Sequence, residues 1–319
     1  MADTIESAFV AISRLASAGS EATYNLDPIL FPDGGLRAGE LIEISGESNS
    51  GKSLLCLELI ARIVLPASCG GLELRAVLID CENSYSKAML LNIMEKHILN
   101  QAEPTLARTL ADDPDRMAHI QQGALARLHL VLCHSLEQFE LSLLALPALF
   151  IKHTELTFVL IDSVATFYWT KCTAKNLIRQ DTYQRAHCKT LSRLACKWKK
   201  VVLLTKPTYF GSRQGLGRDF ETIGGSLDGV AATQLPTGSW PGSNLNSSLS
   251  TLTTATGLID HRVELCEIDS PSPRGTTEAA AAGDCQRFNA FITMGGDRQQ
   301  QQYVRFYLID KFGFSWLEA

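Results

Sequence analysis

The sequence has no Cys-x-x-Cys pair among its nine cysteines, and its seven histidines show no ligand spacing. An odd, scattered set of thiols from Cys56 to Cys285 fits neither a disulfide framework nor a zinc site. They read as small buried hydrophobes in a reducing compartment. Long apolar runs are also missing: the longest, Leu141 to Ile151, is too short to cross a bilayer and contains Pro147, so no membrane partner is expected. The opening residues M-A-D-T-I-E-S are acidic and lack a positive n-region, which argues against a secretory leader and for a soluble intracellular chain. No internal repeat is visible. With 319 residues and 45% apolar content, the chain can build a sizeable α/β core.

A surplus of positive charge is absent as well. The formal charge of −5 excludes a chain that coats nucleic acid over its whole surface, but the charge is unevenly spread. Lys171 to Lys200 carries Lys171, Lys175, Arg179, Arg185, Lys189, Arg193, Lys197, Lys199 and Lys200 against Asp181 alone. Such a stripe reads either as a phosphate-facing surface or as a solvated helix face.

Against these absences stands one strong motif. Gly46, Glu47, Ser48, Asn49, Ser50, Gly51, Lys52 and Ser53 spell G-x4-G-K-[ST], a pattern that chance places in roughly one chain per hundred of this length. An apolar run with Leu41, Ile42 and Ile44 leads into it, and Leu54, Leu55, Leu57, Leu59 and Ile60 give a helix leaving it. The two glycines let the backbone curl so that successive N–H groups and the helix N-terminus face phosphate oxygens. Lys52 would reach the β- and γ-phosphates, and the Ser53 hydroxyl would hold Mg²⁺. The expected cofactors are ATP and Mg²⁺. A guanine nucleotide is disfavoured, because Thr205-Lys206-Pro207-Thr208 lacks the Asn and the Asp of an N-K-x-D reader.

After an N-terminal helix candidate at 6–18, strand and helix signals alternate. Strands are expected at 40–45, 75–80, 128–133, 157–162 and 200–205, and helices at 51–65, 86–99, 136–149 and 177–198. That order implies a mostly parallel sheet with helices on both faces, its strands buried as continuous apolar runs. Residues 209–229 read as a long Gly-rich polar loop. The segments 236–257 and 270–283 read as flexible insertions. Alternating runs at 261–269, 287–294, 303–309 and 313–317, with a hairpin-like connection at 295–302, extend the sheet with antiparallel strands. The division is a 1–25 extension and a 26–319 ATPase domain.

A P-loop needs an acidic partner at the end of a neighbouring buried strand. Two runs qualify on their residues: A-V-L-I-D ending at Asp80, and T-F-V-L-I-D ending at Asp162. Either Asp is equally readable as a turn residue capping a strand. Glu82 lies just past a strand end on the sheet edge where ligands collect in open α/β sheets, or is a solvent-exposed loop glutamate.

The segments G-G-L-R-A-G-E-L-I-E-I-S-G-E, L-P-A-S-C-G-G-L-E, V-L-I-D-C-E and V-L-I-D-S-V-A-T-F-Y-W resemble the RecA-type recombinases of eukaryotes over about 26–207. That resemblance implies a RecA-like P-loop NTPase core, with Asp162 as the metal-orienting acid and Glu82 as the general base beside Lys52. It also implies a nuclear site, other recombinase paralogues as partner subunits, and two DNA-facing loops near 169–185 and 209–229. The DNA contacts would come from Lys171, Lys175, Arg179, Arg185, Lys189, Arg213 and Arg218, on single-stranded or branched DNA. Two departures matter. Thr205 and Lys206 stand where filament-forming recombinases carry an Asn-Gln pair that senses the γ-phosphate, with Lys206 able to reach a phosphate only as a point charge. The helical N-terminal DNA-binding domain of full-length recombinases is also not expected here. The function implied is an ATP-binding accessory subunit in homologous recombination and double-strand-break repair. The alternatives are an autonomous DNA-dependent ATPase, or an interaction subunit with a structural nucleotide.

Overall fold

The computed structural model describes residues 22–101, 113–172, 177–208, 258–268, 286–294, 301–310 and 313–317. The 6–18 helix, the 209–229 loop, and the 236–257 and 270–283 insertions expected from sequence lie outside these residues, as do Lys175, Arg213 and Arg218.

A two-stranded antiparallel ribbon of β1 (Thr23–Tyr24) and β2 (Leu36–Arg37) precedes the main sheet. The chain continues through β3 (Leu41–Gly46), α1 (Lys52–Val64), β4 (Arg75–Asp80), α2 (Lys87–Gln101), α3 (Pro114–Leu125), β5 (Leu128–Leu132) and α4 (Leu136–Lys152). Then come β6 (Leu156–Asp162), the one-turn α5 (Tyr168–Lys171), α6 (Gln180–Trp198) and β7 (Val201–Pro207). The last strands are β8 (His261–Glu267), β9 (Gln286–Met294), β10 (Gln301–Asp310) and β11 (Gly313–Leu317).

Among the described residues the main sheet has nine strands, in the order β11-β10-β9-β8-β3-β7-β6-β4-β5. From β8 to β5 neighbours are parallel, and β8 to β11 are antiparallel. This is the expected α/β RecA-like architecture with its antiparallel C-terminal extension.

Alternation along each parallel strand sends side chains to two layers. Ile42, Ile44, Leu78, Phe158, Leu160 and Leu203 join one core with residues of α1, α2 and α3. Leu41, Val77, Ile79, Val159, Ile161, Val202 and Leu204 join a second core with residues of α4 and α6. Burial on both faces is why these strands read as unbroken apolar runs.

Three elements depart from the sequence reading. Helix α3 was not anticipated, although Asp113 caps it by accepting from the Arg116 N–H at 3.0 Å and Pro114 occupies its first turn, a start signal open to inspection. The helix expected from Leu177 begins at Gln180, because Arg179 takes an extended conformation. The ribbon of two-residue strands is too short to leave a periodicity.

Two long-range contacts tie the extension to the rest. Tyr307 on β10 is fully buried, stacks on Phe288 and Phe314 at ring separations of 5.1 and 4.4 Å, and donates its hydroxyl to the Ser50 carbonyl at 2.8 Å. Glu43, buried on β3, accepts from the Gln184 amide of α6 at 2.6 Å and lies 3.3 Å from Lys206 on β7 and 3.6 Å from Arg262 on β8. One carboxylate thereby joins four elements.

Removing one member of a buried ionic set leaves its partners uncompensated, so Glu43→Ala is expected to cost about 3–5 kcal/mol in chemical denaturation. A change within 0.5 kcal/mol would show that the network carries no net stability. Tyr307→Phe keeps the ring stack and leaves the Ser50 carbonyl unpaired. A loss of about 1–3 kcal/mol is expected in the same measurement.

Candidate functional site

The turn from β3 into α1 is built by left-handed residues, with φ of 64° at Asn49 and 86° at Gly51. Gly51 closes the first helical turn by accepting from the Leu55 N–H at 2.8 Å. A Cβ at Gly46 would strike Ser50 Oγ and come within 2.8 Å of the Leu265 carbonyl, and one at Gly51 would lie 2.6 Å from Ile309 Cδ1. Glycine is required at Gly46 because the β8 backbone packs directly beneath the loop, and at Gly51 because a φ of 86° is one that L side chains rarely adopt. Glu47, Ser48 and Asn49 are exposed at its tip, Ser50 is buried, and Ser53 sits half-buried in the first turn of α1.

Lys52 folds over this loop, its ammonium donating to the carbonyls of Gly46 at 3.0 Å and Glu47 at 2.6 Å. Burial lowers its pKa, and the nearby Asp162 and then Glu82 oppose that pull. The lysine therefore lies in the field of the two acids, Asp162 and Glu82, to which the family resemblance assigned roles.

Asp162 ends β6, next to β7 and β4, and both its oxygens are held by hydroxyls. Thr205 donates to Oδ1 at 2.5 Å and Ser84 donates to Oδ2 at 2.9 Å. One hydroxyl donor on each oxygen keeps a buried carboxylate in one rotamer. Asp80 serves differently: its carboxylate accepts from the backbone N–H groups of Glu82, Ser84 and Tyr85 at 3.1, 3.2 and 2.9 Å. It is the turn-capping residue of the pair, and it shapes the loop that carries Glu82. Glu82 is exposed and accepts at Oε1 from the Thr166 hydroxyl at 2.6 Å.

Among the described residues no group of three or more His, Cys, Asp or Glu side chains could hold a metal ion. A magnesium ion here would need phosphate oxygens to complete its shell around Ser53 and Asp162, which fits the oxygen-only chemistry of these two donors.

Lys206 does not face this site. It is 8% exposed and pairs with Glu43 on the opposite face of the sheet, which corrects the expectation that it could reach a phosphate. Alternation is the reason: Thr205 points to the Asp162 side, so its neighbour must point away.

The basic residues divide. Lys171 pairs with Glu140 at 2.6 Å and Arg179 with Asp181 at 3.5 Å. Arg185, Lys189, Arg193 and Lys197 are exposed on α6 at four-residue spacing and form one ridge with steps of about 6 Å. Arg185 therefore belongs to a helix, not to the expected 169–185 loop. Like charges at this spacing weaken a helix by a few tenths of a kcal/mol per pair.

Sequence reasoning missed Ser84, Thr166 and Tyr307. Hydroxyl residues flanking the two acids were visible, but their partners depend on strand order.

No helix among the described residues is long and apolar enough to cross a membrane. The DNA repair protein XRCC2 of Mus musculus is 26% identical over 190 residues, covering 59% of this chain and 63% of that protein. The DNA repair protein rhp57 of Schizosaccharomyces pombe is 34% identical over 139 residues, covering 42% of this chain and 35% of that protein. The DNA repair protein RAD51 homolog A of Zea mays is 27% identical over 214 residues, covering 65% of this chain and 56% of that protein. The chain thus spans less than two thirds of the length of each of these relatives. The family described as Rad51 matches residues 15–220, well over half of the sequence, and the chain belongs to the Rad51 family.

Proposed function

We propose that this protein is an ATP-binding recombinase paralogue that acts in the nucleus as an accessory subunit in homologous recombination and DNA double-strand-break repair. It works within a complex of other RecA-like paralogue subunits, with residues 26–319 as its ATPase domain. The observation that carries the nucleotide site is the glycine-built turn from β3 into α1, over which the Lys52 ammonium folds onto the Gly46 and Glu47 carbonyls, with the Asp162 carboxylate held by two hydroxyls at the C-terminal end of β6.

In this reading the backbone N–H groups from Gly46 to Ser53 cradle the phosphates, and Lys52 exchanges its two carbonyl partners for phosphate oxygens. Bound magnesium would supply charge neutralisation at the β- and γ-phosphates. Ser53 would contribute a hydroxyl to its shell, and Asp162 would orient its water ligands. Glu82 would take the proton of the attacking water.

Accessory status is supported by the capture of Lys206 in the Glu43 network. A strand end held by a buried ion pair has little freedom to report the state of a phosphate across the sheet, so DNA and nucleotide should be weakly coupled in the isolated chain. DNA contact is proposed to be modest. Its strongest candidate surface is the α6 ridge, where Arg185, Lys189 and Arg193 have no ion-pair partner among the described residues. Lys171, Lys175, Arg179, Arg213 and Arg218 contribute to the same function at lower weight.

Lys52→Ala is expected to weaken ATP binding by about 10- to 100-fold in equilibrium titration, the range of a lost charge-assisted contact. Unchanged affinity would remove the site assignment. Replacing Arg185, Lys189 and Arg193 together by Gln should flatten the log–log salt dependence of single-stranded DNA binding by about 2, at roughly 0.7 per phosphate contact. An unaltered slope would make the ridge a solvent or protein-facing surface.

A further inference from the structure

The acid proposed as general base is exposed and, left to itself, rotamerically free. Its backbone is fixed, since the Glu82 N–H donates to the Asp162 carbonyl at 3.2 Å and to Asp80 Oδ1 at 3.1 Å. Among the described residues its side chain has one hydrogen-bonded anchor, the Thr166 hydroxyl at 2.6 Å. Thr166 is itself set in a rigid turn after β6: the Val164 N–H donates to the Thr205 carbonyl at 3.1 Å, and the Ala165 N–H donates to Ser163 Oγ at 3.2 Å. The hydroxyl also lies 3.0 Å from the Ser163 carbonyl.

One proton and three acceptors within reach, the most distant being Ser163 Oγ at 3.5 Å, define what such a hydroxyl can do. With Glu82 ionised, the charge-assisted bond to the carboxylate is the shorter and the stronger, and the proton points to Oε1. Once the carboxyl group holds a proton of its own, it becomes a donor. The Thr166 proton can then turn to the Ser163 carbonyl, and the threonine oxygen accepts from the carboxylic acid. The same side-chain geometry is satisfied in both protonation states, without moving either backbone.

Resting on the reading of Glu82 as general base, we propose that Thr166 is its positioning residue: a hydroxyl that orients the carboxylate toward the attacking water and keeps it there after proton transfer. Valine at this position preserves shape and removes the hydroxyl; serine preserves the hydroxyl. Orientation matters because a base acts only within hydrogen-bond reach of the water proton, and an untethered, exposed glutamate spends most of its time in other rotamers.

The test measures ATP hydrolysis by the full chain with Mg²⁺, together with ATP affinity. Thr166→Val is expected to lower kcat about tenfold with KM and ATP affinity unchanged, and Thr166→Ser to restore it. Glu82→Gln is the control. If Glu82→Gln abolishes turnover while Thr166→Val hydrolyses ATP at the wild-type rate, the positioning role is overturned and the general base stands. If Glu82→Gln turns over normally, the base assignment itself fails. Should the wild-type chain show no measurable turnover, side-chain carbon relaxation of isotope-labelled Glu82 gives the answer. Greater side-chain mobility in Thr166→Val that returns to normal in Thr166→Ser supports the tether. Identical mobility in all three overturns it.

Discussion

Parallel alignment of β3, β7, β6 and β4 brings four C-terminal strand ends to one rim, and the polar groups of the candidate site hang from it. Hydrogen-bond register fixes their spacing: Ile44 lies opposite Thr205, and Asp80 lies opposite Asp162. With neighbouring strands about 4.8 Å apart, the glycine-built loop, the buried acid and the Glu82 loop lie within a few strand spacings of each other. The crossover order produces the crevice. The chain leaves β3, builds β4 and β5 at a distance, and returns to insert β6 and β7 between them. The rim is the place where open α/β sheets bind ligands.

Hydroxyl groups complete the rim. Ser84, Thr205 and Thr166 reach from three different elements to hold Asp162 and Glu82. Each is small and neutral, and each satisfies a carboxylate without competing with a metal ion for its charge. A basic residue in any of these places would neutralise the acid it held. The opposite face of the sheet uses charge instead, with Glu43 between Lys206 and Arg262. The two faces divide the work: one keeps ligands accessible, and the other locks strand ends together.

Much of this was legible in the residues. The motif at Gly46 to Ser53 carries its own geometry, and the apolar runs ending in Asp80 and Asp162 announced buried parallel strands. Which Asp faced the lysine was not legible from the runs alone, since both have the same pattern, and the resemblance to recombinases was needed to choose. The difference lies in what each carboxylate meets. Asp80 is consumed by three backbone N–H groups of its own loop, whereas Asp162 meets side chains brought from far along the chain. The misreading of Lys206 has the same origin. Its position at a strand end was apparent, but its direction depends on the pleat, and the pleat on register. Tyr307 left no signal at all, because an aromatic residue in an alternating strand is ordinary core until its partner is known.

The loop that opens the fold rests on a strand that closes it. Ser50 and Tyr307 are 257 positions apart in the chain. During synthesis the ribosome would release the glycine-rich turn long before its floor exists, and until β10 arrives the loop lacks both the hydroxyl beneath it and the apolar wall beside Gly51. A chain cut before β10 would therefore carry every residue of the glycine-rich motif and still leave that motif unsupported. Loss of β10 should accordingly disturb the loop as severely as a lesion within the motif itself.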